Sequence, residues 1–70
     1  MDHTELRIVG LDGVASIQKV EDALLCVPGV IRARVHPDHH TASVEHGETV
    51  TSQQLIDAVI SAGYDAQLIA

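Results

Sequence analysis

The chain has 70 residues and a formal net charge of −6, so we expect one domain over residues 1–70 with little room for a deep enzyme cleft. Ten acidic residues against four basic ones, and Tyr64 as the only aromatic side chain, argue against nucleic acid as a partner, because the surface repels phosphate and offers nothing for bases to stack on. No apolar run approaches the roughly 20 residues that cross a bilayer, so we expect no direct membrane insertion by this chain.

The first part of the chain predicts a strand and a helix. Residues 4–9 alternate between apolar and polar, with Leu6 and Ile8 inward, and a glycine-containing turn follows. Asp12 stands where its carboxylate could cap the next helix by accepting backbone N–H bonds in the first turn. Apolar residues then repeat at helical spacing over residues 14–27, at Ile17, Val20, Leu24 and Val27. The proline and glycine that follow end this helix.

The middle of the chain predicts a hairpin. Residues 30–35 read as a strand whose alternation is irregular, and residues 36–40 form a turn because proline and aspartate are strong turn residues. A third strand follows, with Ala42 and Val44 inward.

The last part of the chain predicts a second helix and a fourth strand. Thr51 with Gln54 three residues later is a capping-box signature. The helix ends at Gly63, and residues 64–69 are apolar enough for a final strand. The apolar stripe of this helix consists of Leu55, Ile56, Val59 and Ile60.

The predicted order is therefore βαββαβ, an α+β arrangement. Two right-handed crossovers around a hairpin give a ferredoxin-like sandwich, a four-stranded antiparallel sheet with two helices on one face. In that fold we expect the first strand at the centre, between the third and the fourth.

Several segments in register resemble one known family. They are Leu6-x-Ile8-x-Gly10-Leu11-Asp12, Val27-Pro28-Gly29-Val30 and Ala62-Gly63-Tyr64-Asp65-Ala66. The sequence resembles the heavy-metal-associated domain, found in small copper and mercury chaperones and at the N-terminus of metal-transporting P-type ATPases. The resemblance covers nearly the whole chain and implies the same ferredoxin-like fold.

The chain departs from that family at the metal-binding loop. Family members read Gly-Met-x-Cys-x-x-Cys there, whereas this sequence has Leu11 for the methionine and Gly13 and Ser16 for the two cysteines. Soft ions such as Cu(I) depend on thiolate donors, so we expect no cysteine-based metal site. The acidic Asp12 resembles the zinc, cadmium and lead branch of the ATPases, in which that carboxylate joins the thiolates as a ligand.

The resemblance implies a module of a transporter rather than an enzyme. We expect a degenerate heavy-metal-associated domain that serves as the cytoplasmic N-terminal regulatory or interaction module of a heavy-metal-transporting P-type ATPase. Its partner would be the remainder of that ATPase or another metal-handling protein. The lone Cys26 fits a reducing compartment, so the expected location is the cytoplasm, with or without a tether to a membrane transporter.

Five histidines leave open a second hypothesis, a Zn(II)- or Ni(II)-binding domain without thiolates. No cofactor is certain, and a divalent ion such as Zn(II) is the candidate. In the predicted fold, one possible ligand set comprises Asp12, His36, His39 and His40, with Asp38 nearby, although strand spacing puts Asp12 about 10 Å from the turn. A weaker second set comprises His3 and His46, with Asp2 and Glu48 in reach.

Other classes fit less well. A small-molecule-sensing regulatory domain of the same topology remains an alternative, but the Gly10-Leu11-Asp12 loop and the Gly63-Tyr64 ending fit the metal family better. Acylphosphatases share the topology but need a first-loop arginine and a catalytic asparagine, and this chain has no asparagine.

Three arginines complete the set of candidate residues. Arg32 and Arg34, with Arg7 behind them, could form a docking stripe for a partner. The simpler interpretation is that they pair with Glu45 across the hairpin and protect the exposed sheet edge.

Overall fold

The computed structural model describes residues 2–69, and the predicted fold is confirmed. The elements are β1 (Asp2–Val9), α1 (Val14–Leu25), β2 (Val30–His36), β3 (Thr41–His46), α2 (Ser52–Ser61) and β4 (Asp65–Leu68). The strands form one antiparallel sheet in the order β2-β3-β1-β4, which places β1 between β3 and β4 as predicted.

The core lies between the two helices and one face of the sheet. Alternate residues of β1 and β3 contribute to it, together with residues three or four apart on each helix. Its fully buried members are Leu6, Val20, Leu24, Ala42, Val44, Leu55 and Val59, with Ile8 almost as buried. Burial of one such aliphatic side chain larger than alanine contributes about 1.5–3 kcal/mol, so these positions hold both helices on the same side of the sheet.

The opposite side of the sheet points away from both helices, and we call it the open face. Strand register assigns its residues, because side chains directly opposite each other in an antiparallel pair share a face. The open face carries His3, Glu5, Arg7 and Val9 of β1, Arg32, Arg34 and His36 of β2, Thr41, Ser43 and Glu45 of β3, and Asp65 and Gln67 of β4.

Element boundaries differ from the predictions by one or two residues. β1 begins at Asp2, because Asp2 pairs with His46. Both residues are polar, so the alternation of apolar and polar residues in the sequence does not indicate this part of the strand. α1 ends at Leu25, since the Val27 N–H bonds to the Leu24 carbonyl in a tighter turn while Val27 itself stays in the core. The last strand is limited to Asp65–Leu68.

Two predicted local features are present. Thr51 and Gln54 form a capping box at the start of α2, in which each side chain bonds the other residue's backbone N–H. The irregular alternation of β2 corresponds to a register shift between Val30 and Arg32. Among residues 2–69, no helix combines the length and the apolar character that crossing a membrane requires.

His46 is buried against the core although its side chain is polar, and it is only 4% exposed. Its Nδ1 lies 2.9 Å from the Gly47 carbonyl oxygen, which can only accept, so Nδ1 carries the proton. In the neutral ring Nε2 is then an acceptor, and the buried Thr4 hydroxyl donates to it at 2.8 Å. Both ring nitrogens are therefore engaged inside the protein.

Replacement of Thr4 by valine tests this arrangement. Thr4→Val keeps the shape of the side chain but leaves Nε2 buried without a donor, so we expect the free energy of unfolding to fall by about 1–3 kcal/mol in urea denaturation. Thr41→Val makes the same change on the open face, and we expect it to stay within about 0.5 kcal/mol of the wild type. Equal losses from the two variants would contradict the account.

Candidate functional site

The β1–α1 loop, residues 10–13, occupies the position of the predicted metal loop. It ends at Gly13, the N-cap of α1, whose backbone has φ 115° and ψ −179°. This combination is essentially restricted to glycine, because a Cβ atom there is strained against the backbone even where surrounding space is open. A Cβ atom built on Gly13 would meet nothing within 4 Å, so the restriction comes from the backbone itself.

A short hydrogen bond fastens this loop to the first turn of α1. The Ser16 hydroxyl donates to Oδ1 of Asp12 at 2.5 Å, and Ser16 is only 4% exposed whereas Asp12 is exposed. The bond links the two sides of the loop through oxygen atoms alone. Sequence reasoning treated Ser16 only as a lost cysteine and missed this role, although the spacing of four residues was a usable signal.

The predicted capping role of Asp12 is wrong. α1 begins at Val14, so Gly13 is the N-cap, and no side-chain hydrogen bond caps the helix. Asp12 stands one residue too early to reach the free amides of the first turn, and its carboxylate accepts from Ser16 instead.

The loop rests on two half-buried side chains that pack against the core, Leu11 and Tyr64. Tyr64 also lies close to the loop backbone, since a Cβ atom on Gly10 would come within 3.3 Å of Tyr64 Cδ1. Tyr64 is therefore a packing residue, as predicted. Leu11 stands where family members have methionine, and its side chain is purely aliphatic.

The hairpin histidines separate into two groups. His36 lies on the open face, where Nε2 is 3.1 Å from the Ser43 hydroxyl. His39 and His40 lie at the end of β1, because β3 pairs with β1 and the His40 carbonyl accepts from the Ile8 N–H at 2.7 Å. These two histidines line an open groove of about 450 Å³ together with Arg7, Ile8, Val9, Gly10 and Leu11.

The structure thus brings His39 and His40 to Gly10 and Leu11, and it leaves Asp12 out of the groove lining. Within residues 2–69, no three His, Cys, Asp or Glu side chains are grouped so that they could hold a metal ion. Metal ligation by Asp12, His36, His39 and His40 stays a prediction.

The second predicted set, His3 with His46, is not brought together. The register pairs His46 with Asp2 and His3 with Glu45, so the two histidines lie on opposite faces of the sheet. The expected adjacency was wrong by one residue of register, and a shift of one residue changes the face. His46 is also occupied by Thr4 and Gly47.

Cys26 lies directly after α1, exposed, in a shallow groove with Ala23, Pro28 and Ala62. The helix has 12 residues, so its axis separates Cys26 from the β1–α1 loop by about 18 Å. The thiol cannot join Asp12 and Ser16 in a common site.

The donor set of the loop does not fit a soft metal ion. It offers the Asp12 carboxylate, the Ser16 hydroxyl and backbone carbonyls, all of them oxygen donors, whereas Cu(I) selects sulfur. For a hard ion that prefers oxygen, Ser16 already uses Oδ1 of Asp12, and Oδ2 is the carboxylate oxygen that this hydrogen bond leaves open.

Comparison with known proteins places the chain in a well-defined group. The family model of the heavy-metal-associated domain matches residues 5–65. The N-terminal domain of PacS from Synechocystis PCC6803 is 31% identical with a TM-score of 0.92, and all of each chain is covered. A copper-binding domain from HMA7, a P-type ATPase, is 27% identical with a TM-score of 0.96, covering 100% of this chain and 96% of that one.

A third similar structure comes from work on crosstalk between Cu(I) and Zn(II) homeostasis. It is 32% identical with a TM-score of 0.92, covering 99% of this chain and 100% of that one. The full-length coverage agrees with a fold that needs no insertion or deletion of an element.

A double-mutant cycle tests the bond between Asp12 and Ser16. Asp12→Ala leaves a buried hydroxyl without a partner, so we expect a loss of about 1–3 kcal/mol in the free energy of unfolding. Once Asp12 is gone, Ser16→Ala should cost little more, giving a coupling energy of at least about 0.5 kcal/mol.

The control cycle is Gln18 with Asp22, an exposed pair with the same spacing of four residues that lies entirely within α1. We expect a coupling of about 0.2–0.5 kcal/mol there. Strictly additive losses at Asp12 and Ser16 would show that the bond does not hold the loop.

Proposed function

The chain belongs to the heavy-metal-associated domain family, and we propose that it is a degenerate member, a regulatory or interaction module of a heavy-metal-transporting P-type ATPase. It is similar to N-terminal metal-binding domains of such ATPases and to metallochaperones. What separates it from a cysteine-based carrier is the β1–α1 loop, and the observation that carries the proposal is the Ser16–Asp12 hydrogen bond.

That bond supports the proposal because it closes the loop without an ion. In family members of the usual sequence, two cysteine thiols stand at the positions that correspond to 13 and 16, and the metal bridges them. Here position 16 holds a buried hydroxyl that already has its acceptor, and position 13 has no side chain. A loop that is already closed by a hydrogen bond does not need an ion to join its two sides, and we propose that the remaining function of the domain lies in its surface.

The backbone of Gly13 supports the same conclusion. Its φ of 115° suits glycine alone, so a cysteine at this position would force the loop into another conformation. The loop conformation and the absence of a thiol are therefore consistent with each other. We propose a cytoplasmic setting, with the domain attached to the transporter or docking on it.

Restoring both thiols tests the proposal. In a Cys26→Ser background, the chain should fail to remove Cu(I) from a chromophoric chelator such as bicinchoninate. Gly13→Cys with Ser16→Cys in the same background should withdraw an equimolar amount of Cu(I), because two thiolates restore the soft donor pair.

The control is Ser16→Cys alone, which supplies one thiol and should compete far less well. Without metal, the double-cysteine variant should also lose about 1–3 kcal/mol of stability from strain at position 13, and Cu(I) should recover part of that loss by binding the folded state. The proposal fails if the Cys26→Ser protein itself retains Cu(I) against the chelator.

A further inference from the structure

The charges of this chain are unevenly divided between the two sides of the sheet. Three of the four basic side chains, Arg7, Arg32 and Arg34, lie on the open face. Three carboxylates share that face, namely Glu5, Glu45 and Asp65, so its formal charge is balanced. The other seven acidic residues and Lys19 lie elsewhere, and the entire net charge of −6 therefore belongs to the rest of the molecule.

The three arginines of the open face differ in whether an acidic residue stands directly opposite them. Arg32 stands directly opposite Glu45, whereas Arg34 stands opposite Ser43. Arg7 has Thr41 on one side and Gln67 on the other. Two of the three guanidinium groups thus have neutral residues directly opposite them, and the nearest carboxylates of this face stand at diagonal or same-strand positions to these two arginines. Each guanidinium carries five donors, more than one such carboxylate uses, so both can also donate to a carboxylate from outside.

The β2 side of this face is the most cationic part of the protein. Arg32, Arg34 and His36 project from it at successive open-face positions, and the two arginines are exposed. Arg7 extends the same patch across the sheet to the groove that also holds His39 and His40. We call Arg7, Arg32, Arg34 and His36 the arginine face.

The backbone edge of β2 is less suited to a partner than these side chains. The carboxylate of Glu21 on α1 accepts the Val35 N–H at 3.2 Å, which occupies an edge donor that an added strand would need. An incoming segment is therefore expected to bind through side-chain contacts on the open face and not by strand addition.

We propose that the arginine face docks an acidic segment of a partner protein. The inference deepens the proposed function and rests on it, since an interaction module needs a docking surface. Charge complementarity selects the partner, because this is the one side of the molecule that does not carry the excess negative charge. Carboxylates would bind bidentately to Arg34 and Arg7, with the imidazole of His36 beside them.

An octa-glutamate peptide provides the probe, followed by residue-resolved NMR of the intact chain at low salt. We expect saturable shifts at Arg7, Arg34 and their neighbours on β2 and β1, and their loss when the salt concentration is raised, because exposed ion pairs are screened. Arg34→Glu and Arg7→Glu should each weaken binding about fivefold or more.

Lys19→Glu is the matched control, since it makes the same charge change on the helix side and should leave the affinity within about twofold. Shifts centred on Lys19, an equal loss in all three variants, or no saturable shifts at all would overturn the proposal. A single-stranded oligonucleotide of equal charge that binds the same face more tightly would assign the face to nucleic acid instead. None of these outcomes depends on Cu(I), so this test can fail while the thiol test succeeds.

Discussion

The hydrogen bond from Ser16 to Asp12 spans the junction between β1 and α1, where a heavy-metal-associated domain of the usual sequence carries its paired thiols. Because the hydroxyl is buried, it needs a partner inside the protein, and the carboxylate four residues earlier supplies one. Gly13 makes this geometry possible by adopting a backbone conformation closed to other residues. The loop is consequently held by a hydrogen bond between two oxygen atoms, with no sulfur involved.

A domain whose β1–α1 loop binds no metal ion would act through contacts that its surface makes with other proteins. The sheet divides the charges into a balanced open face with three arginines and a remainder that carries the whole excess of acid. The groove beside Leu11, lined also by Arg7, His39 and His40, lies between the loop and the arginine face. The region that binds metal in a typical relative thus adjoins the region that we propose for partner binding.

The fold was predictable from sequence because periodicity, glycine positions and the capping box all pointed to the same element order. Contacts between distant residues were not. The His3–His46 adjacency failed because strand register cannot be read from a pattern with polar residues at the end of β1. The helix cap at Asp12 failed because the helix starts one residue later than the carboxylate can reach. The Glu21–Val35 contact joins a helix to an edge strand, and no local signal marks it.

The most direct measurement is a Zn(II) titration of the Cys26→Ser protein followed by residue-resolved NMR, because Zn(II) accepts oxygen and nitrogen ligands as well as sulfur. Our account predicts that signals of residues 10–16 stay in place through an equimolar addition of Zn(II), since Asp12 is the one carboxylate of this segment and, in the part of the chain that the structure describes, no three His, Cys, Asp or Glu side chains are grouped so that they could hold a metal ion. Saturable shifts confined to residues 10–16 at an equimolar amount would show that the loop is a working metal site and would contradict the account.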